Sequence, residues 1–449
     1  MKQFLFSEIV SASGGTYYGD PALLQKAARA VVIDSKLALP GSLFIAIRGE
    51  RHDGHSFIPA AREAGAALVV SDRMLEQEPY LLVPDTLQAM HAIAGRYREK
   101  FSIPVIGLTG SAGKTSTKDM VAAALGARFR VMKTQGNLNN ETGAALTVFS
   151  LEEDHEVAVF EMGTNHFGEI ARIASFVQPD YCIFTNIGLA HIENFGSREG
   201  IFRGKTEALP YLRPGGRVIA NGEDDMLRQI PGALLYGLGK ACAVRGVEIE
   251  DHILEGMDFT ALFEGKRCRM HVPALGVHSV CNALAAVAAG VLLGMPLEEL
   301  ASGIAAYEPL RGRMCIRTAP NCTVIDDTYN ANPTSMKASL DVLAKCAGRR
   351  VAILGDMREL GEASAMLHEQ IGRYAASLGI ERILCVGSES ERMYAGANSA
   401  APGTARYFAA QEDLLEALPA LVCKGDIVLV KASRGMYLER TVERLLSGL

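Results

Sequence analysis

The chain has 449 residues, 49% hydrophobic and 21% charged, with 45 Lys+Arg against 51 Asp+Glu for a net charge of −6. At about 150 residues per domain, this length predicts roughly three domains, each long enough to bury a core. The composition excludes disorder, collagen and coiled coil as whole-chain descriptions, and the acidic balance argues against a nucleic-acid-coating surface while leaving room for a local basic site.

The nine cysteines are scattered, odd in number and never spaced CxxC. That pattern predicts neither a disulfide framework nor a zinc ribbon and fits a reducing compartment. The opening MKQFLFSEIV carries too short an apolar run for a signal peptide. The longest apolar stretch, 283–295, falls well short of the roughly 20 residues that span a bilayer. A cytoplasmic protein without membrane insertion is expected.

Residues 1–100 read as a small α/β unit. GSLFIAI (41–47) and AALVVS (66–71) are strand-prone, AAREAGA (60–66) is helical, and HDGHSFI (52–58) is a polar loop with a turn at Asp53-Gly54. Residues 101–313 open with a strand, a Gly-rich loop and a helix (101–125). Strand runs at 157–163 and 181–188 follow, with a helix at 168–176 between them. Strands alternating with helices predict a parallel sheet. Residues 234–273 alternate more shortly and predict a small antiparallel flap, and 277–294 predicts a long helix. Residues 314–449 repeat the rhythm, with strands at 321–327, 349–357, 382–387 and 426–433 and helices at 335–346, 363–379 and 411–422. This last unit is Rossmann-like but lacks GxGxxG, so no dinucleotide is assigned to it.

The chemistry concentrates at Gly110, Ser111, Ala112, Gly113, Lys114, Thr115 and Ser116. Glycines let backbone N–H groups close on phosphate oxygens, and the helix N-terminus favours negative charge. Lys114 suits the β- and γ-phosphates, and the Thr115 hydroxyl suits Mg²⁺. Leu108 stands where the longer GxxxxGK[ST] form has its first Gly, so the match is the shorter GxxGKT. A Gly-rich turn into a helix with an incidental lysine is the bland alternative. Glu161 and His191 follow neighbouring strands, where a carboxylate or imidazole reaches a metal. Each also reads as a capping or hydrogen-bonded structural residue.

In chain order the phosphate loop is joined by GNLNNETG (136–143), EMGTNHFGEI (161–170), TNIGLAHIENFGS (185–197), NALAA (282–286), RGRM (311–314), DDTYNANPTSM (326–336), GDMRELG (355–361) and KASRGM (431–436). Over this span the chain resembles the Mur ligase family of ATP-dependent amide-forming enzymes of peptidoglycan precursor synthesis. The resemblance implies an α/β chain of three domains: a small UDP-binding domain (1–100), a central P-loop parallel-sheet ATPase domain (101–313) and a C-terminal Rossmann-like domain (314–449). YNANP and GDMRELG, with DSKLALPGSLFIAIRGERHDGHSFI (34–58), resemble the branch that joins D-alanyl-D-alanine to UDP-N-acetylmuramoyl-tripeptide through an acyl phosphate.

That resemblance implies ATP and Mg²⁺, with Thr115, Glu161, His191 and Lys205 at the metal. Lys205 stands where the family carries a lysine open to carbamylation; a plain surface lysine or a phosphate contact is the alternative. Lys114, Lys205 and His191 are the implied catalytic residues. Asn282, Arg313, Asp327, Tyr329 and Asn330 are the implied nucleotide contacts beyond the loop. Asp34, Ser35, Lys36, Asp53, Gly54, Asn139, Asn140 and Thr142 are the implied substrate contacts. Loop capping for the Asn and Thr residues and a surface ion pair for the Arg are the local alternatives. A monomer is expected.

Three residues depart from the family pattern. Lys36 replaces an arginine and loses its bidentate fork, Ser279 replaces an asparagine after His278, and Ala432 replaces the glycine of KGS. Two rival readings are a sibling ligase, of Mur or folylpolyglutamate type, and a P-loop switch that controls a partner without ligation. The YNANP segment argues against the first, and a first unit with its own α/β core argues against the second.

Overall fold

Runs such as Val105–Thr109 and Val157–Glu161 are apolar without alternation, the signature of strands covered on both faces. Both are buried along their length and pair in parallel, with Leu108 opposite Glu161. The computed structural model describes residues 1–49 and 52–448; Glu50 and Arg51, within the 34–58 segment, lie outside the described residues. The chain packs as two compact units. One comprises Met1–Thr109, Arg128–Ile183 and Gly204–Val218; the other comprises Gly110–Ala127, Phe184–Arg203 and the residues from Ile219 onward.

The first unit holds a five-stranded sheet. Its order is Thr16–Tyr18, Tyr80–Leu82, Leu68–Ser71, Leu43–Ile45, Val31–Val32. Only the first pair is antiparallel. A second run in this unit is ordered Tyr181–Phe184, Val105–Thr109, Val157–Glu161, Val131–Lys133. The helix Thr86–Arg98 begins where Asp85 accepts from the N–H groups of Leu87 and Gln88. It buries Ala89, Met90, Ile93, Ala94 and Tyr97, a one-sided stripe at helical spacing. Its last residue, the fully buried Arg98, donates to the carbonyls of Val177 and Phe101 at 3.2 and 2.6 Å.

In the second unit the helix Lys114–Gly126 packs on the helix Val277–Leu292. Met120, Val121, Ala124 and Leu125 face inward, and each large one stabilises the unit by roughly 2 kcal/mol on burial. The six-stranded sheet is ordered Cys315–Thr318, Cys322–Asp327, Asp426–Lys431, Arg350–Gly355, Arg382–Val386, Ala405–Phe408. All its pairs are parallel except the first. Its strands point their carboxyl ends at the loops after Asp327, Gly355 and Lys431, where an open α/β sheet binds ligand.

The predicted antiparallel flap forms, joined to the sheet through parallel pairs. Leu234–Gly237 pairs in parallel with Arg217–Asn221, and Val244–Asp251 pairs in parallel with Leu234–Gly237. Val244–Asp251, Met257–Phe263 and Lys266–Val272 then run antiparallel in succession as expected, the last two turning through Glu264 and Gly265, both at positive φ. Strand direction here follows from the neighbour already in place, which short alternation cannot reveal.

Candidate active site

The phosphate loop is shaped by glycines at positions no other residue fills. Gly113, at φ 76°, caps the helix Lys114–Gly126 in the left-handed region. A Cβ on Gly110 would lie 1.9 Å from the Thr185 hydroxyl oxygen. The loop is clamped from the TNIG segment. The N–H groups of Ser111 and Ala112 donate to the backbone and side-chain oxygens of Asn186, both at 2.9 Å. Thr185 donates through its hydroxyl to the Ala112 carbonyl at 2.7 Å, and Asn186 donates its amide to the same carbonyl at 3.0 Å. The Ser111 hydroxyl accepts from the Gly188 N–H at 2.9 Å. Two of the loop's early amides are thus committed to shaping the loop, so anion binding falls to the helix start, where the first N–H groups have no intrahelical acceptor.

Around that start the second unit gathers several predicted residues. Lys114 donates Nζ to the Gly110 carbonyl at 2.9 Å. Arg313 donates Nη2 to the Thr115 hydroxyl at 2.9 Å, and its guanidinium lies 3.9 Å from the centre of the Tyr329 ring. Asn282, on the helix Val277–Leu292, accepts from the Thr117 hydroxyl at 3.0 Å. Tyr307 is buried behind Ser116, and burial pushes its phenol up to about 12. His191 sits at φ 60° with Nδ1 2.7 Å from the Glu359 carboxylate, which itself is at φ 64°. The His191 ring and the more distant Lys114 charge hold the Glu359 carboxyl below its usual range.

Other predicted nucleotide contacts carry structural bonds of their own. Asp327 is buried, and its carboxylate accepts from the Ser339 hydroxyl, the Met314 N–H and Lys431 Nζ. These bonds anchor it at the carboxyl end of its strand. Asn330 accepts from the next residue's N–H at 2.9 Å with its side chain, and from Lys431 Nζ at 3.0 Å with its carbonyl. That is a local turn role, with the side chain exposed.

The first unit holds the rest. Glu161, almost wholly buried at the end of its strand, accepts from the Asn139 amide at 2.7 Å. Asn140 caps the helix Glu141–Phe149 by accepting from the Gly143 N–H at 2.8 Å, and Thr142 lies in that helix's first turn. Lys205 is fully buried. Asp34 accepts from the Lys36 N–H at 2.9 Å and so makes the turn Ser35–Leu37; Lys36 itself is exposed. Asp53 accepts from the His55 N–H at 3.0 Å, from His55 Nδ1 at 2.6 Å and from Arg73 at 2.7 Å. A Cβ on Gly54 would strike the Ile47 carbonyl at 2.6 Å, so glycine is required there by backbone approach alone.

Two of the family departures have local reasons. Ser279 donates to the carbonyls of Ala274 and Gly276, closing the entry to its helix. The Ala432 methyl is buried where Gly355 leaves room, since a Cβ on Gly355 would come within 2.7 Å of it.

Two of the residues predicted for magnesium, one in each unit, offer oxygen donors. The Thr115 hydroxyl and the Glu161 carboxylate are hard oxygen ligands, each buried. Thr185, Asn186 and Glu359 were not singled out from sequence as functional residues. A TN pair closing a strand and a Glu inside GDMRELG are the only signals they carry.

Comparison with known proteins gives three family matches. The Mur ligase family catalytic domain matches residues 28–98, the Mur ligase middle domain residues 108–290, and the Mur ligase glutamate ligase domain residues 312–434. The UDP-N-acetylmuramoyl-tripeptide–D-alanyl-D-alanine ligase of Bacillus subtilis (strain 168) is 37% identical over 439 residues, covering 96% of this chain and 95% of that one. Its counterpart in Escherichia coli (strain K12) is 35% identical, with 93% of each chain covered. A crystal structure of MurF from Acinetobacter baumannii superposes with a TM-score of 0.93 at 31% identity, covering 100% and 99% of the two chains. The MurF ligase from Thermotoga maritima in complex with ADP gives 0.85 at 27% identity, covering 94% and 97%. Among the described residues no helix is long and apolar enough to cross a membrane.

Proposed function

The chain belongs to the Mur ligase family, and from that premise we propose that it joins D-alanyl-D-alanine to UDP-N-acetylmuramoyl-tripeptide at the expense of ATP. The observation that carries the reading is the Arg313 guanidinium on the Thr115 hydroxyl, 2.9 Å apart. It sets a cation from the 312–434 match beside the phosphate loop, where a ligase needs to neutralise a transferring phosphoryl group.

The chemistry follows from two reluctant reactants. At neutral pH a carboxylate is a poor electrophile and an amine is protonated. The tripeptide carboxylate oxygen attacks the γ-phosphorus of ATP, and ADP leaves. The dipeptide amine, once deprotonated, attacks the acyl carbon, and phosphate leaves with the former carboxylate oxygen. Lys114 and Arg313 bear on the negative charge that builds on the phosphoryl oxygens, and the N-terminus of the helix Lys114–Gly126 adds its dipole. Magnesium, when bound, supplies further neutralisation of the β- and γ-phosphates. Thr115, Glu161 and His191 are the residues we assign to hold it. Lys205 is assigned as the carbamylated lysine, its amine adding CO₂ with loss of a proton.

We assign UDP recognition to 1–100, ATP to 101–313 and the acceptor amine to 314–449. The reaction consumes cytoplasmic precursors, and the chain acts as a monomer. The test is inorganic phosphate release with ATP, UDP-N-acetylmuramoyl-tripeptide and each candidate amine. Release that depends on D-alanyl-D-alanine supports the reading. Release driven by a single amino acid makes the chain a sibling ligase, and nucleotide binding without release makes it a switch.

A further inference from the structure

Away from the phosphate loop, the flap of the second unit carries a cluster that the ligase chemistry leaves unused. Its strand register sets Glu250 opposite Asp258 and Asp258 opposite His271. Residues paired across neighbouring strands project from the same face, so two acids and an imidazole stand in one row. His252 joins them from the turn after Val244–Asp251, where its N–H donates to the Gly256 carbonyl at 3.0 Å. Among the described residues, Glu250, His252 and Asp258 form the one group of three acids, histidines or cysteines whose ligand atoms all lie within 4.8 Å of one another.

The geometry sorts these groups into roles. His271 Nδ1 lies 2.7 Å from Asp258 Oδ1 and holds that oxygen. The other oxygen, Oδ2, faces His252 Nε2 at 3.4 Å, long for a hydrogen bond. Two ligand atoms bound to one zinc ion at about 2.0–2.1 Å in a tetrahedron stand about 3.3–3.4 Å apart, so this pair is already spaced for a shared metal. A carboxylate fixed through one oxygen while the other turns to the ion is the ordinary support of a ligating acid. A cation already answers the two acids. Arg269 Nη2 lies 2.7 Å from Glu250 Oε2 and 3.5 Å from Asp258 Oδ2, while Nη1 donates to the Glu248 carbonyl at 2.8 Å. One guanidinium leaves two carboxylates half balanced, whereas a divalent ion matches their charge, and an imidazole beside them favours a transition metal over magnesium.

We infer that Glu250, His252 and Asp258 bind a divalent metal of zinc's class, displacing Arg269, with His271 as the residue that positions Asp258. The ion would tie the end of Val244–Asp251 to Met257–Phe263. The turn between them carries Ile253 and Leu254, which pack against the core of the six-stranded sheet, and Asp251 accepts from Lys345 Nζ at 2.7 Å. The metal therefore fixes the turn through which the flap meets that sheet.

The test is equilibrium dialysis of the metal-stripped full chain against low-micromolar free zinc, in wild type, His252→Gln and Arg269→Gln. Both side chains are exposed, so the variants retain the fold, which circular dichroism checks. Zinc held by cysteines or at the phosphate loop is common to all three and cancels. Wild type retains one zinc per chain more than His252→Gln. Arg269→Gln keeps all three ligands, removes the competing charge and tightens that zinc by about tenfold. Millimolar Mg²⁺ leaves it in place. Equal zinc loading of wild type and His252→Gln overturns the inference. So does an affinity that Arg269→Gln leaves unchanged or weakens, since the acids then serve the arginine alone, and so does displacement by Mg²⁺, which would remove the nitrogen ligand from the account.

Discussion

Two sets of loops carry the residues expected to hold nucleotides, and they are built in opposite ways. In the turns around Asp34 and Asp53, each aspartate accepts from a backbone N–H two residues on, Asp53 accepts also from the His55 ring and Arg73, and Gly54 leaves room for the Ile47 carbonyl. Mostly local bonds shape these turns. In the phosphate loop the support comes from far along the chain: Thr185, Asn186, Asn282 and Arg313 all act on residues 110–117. A loop that needs four distant partners to hold its shape has been preorganised for something other than itself. The difference separates residues that make a turn from residues that a turn presents.

The sharpest way to break that contrast is Lys114→Ala. Turnover is expected to fall by about 10³ with the circular dichroism spectrum intact, because an electrostatic partner of the transferring phosphoryl group is lost. Near-normal turnover would return the loop to the status of a mere turn. Gly110→Ala comes next. The new methyl meets Thr185, the loop shifts, and ADP affinity drops by about 10²-fold. Adding Thr185→Ala to that variant removes the 1.9 Å conflict and recovers part of the loss, which isothermal titration with ADP would measure. Arg313→Ala should lower kcat by about 10²-fold. Arg313→Lys recovers little of it, since the flat fork that stacks on Tyr329 is gone.

Much of this was readable from residue order. The strands and helices of the six-stranded sheet, the strand–loop–helix at 105–126 and the helix Val277–Leu292 follow from apolar runs and glycine punctuation. The helix Thr86–Arg98 did not stand out, because its inward stripe of small and medium residues is diluted by polar neighbours. Asp327 also pairs with Lys431 and Ser339, partners 104 and 12 residues away, which no local spacing announces. The cluster of acids and histidines on the flap was invisible for the same reason. Its row is set by the pairing of three strands, and that register lies outside any short window of sequence.

The smallest effects belong to the aspartate turns, and they complete the contrast. Asp34→Asn keeps an acceptor for the Lys36 N–H, so the KM for the UDP-sugar should stay within about threefold. A rise well beyond that would show that the carboxylate itself touches substrate. Asp53 is held below its usual range by the His55 N–H, the His55 ring and Arg73. A depressed carboxyl contributes stability above its unfolded pKa, and that contribution fades as pH falls toward the folded value. Asp53→Asn should therefore melt slightly earlier than wild type at pH 7, with the gap holding to about pH 4, narrowing only below the ordinary carboxylate range, and shrinking in high salt, as an exposed pair requires.

The central claim is that ATP activates the tripeptide as an acyl phosphate. Carboxylate ¹⁸O-labelled UDP-N-acetylmuramoyl-tripeptide, incubated with ATP and D-alanyl-D-alanine, tests it most directly. Mass spectrometry of the inorganic phosphate should find one label transferred per turnover, and none when the dipeptide and the tripeptide fail to join. Unlabelled phosphate accompanying full pentapeptide formation would contradict the account.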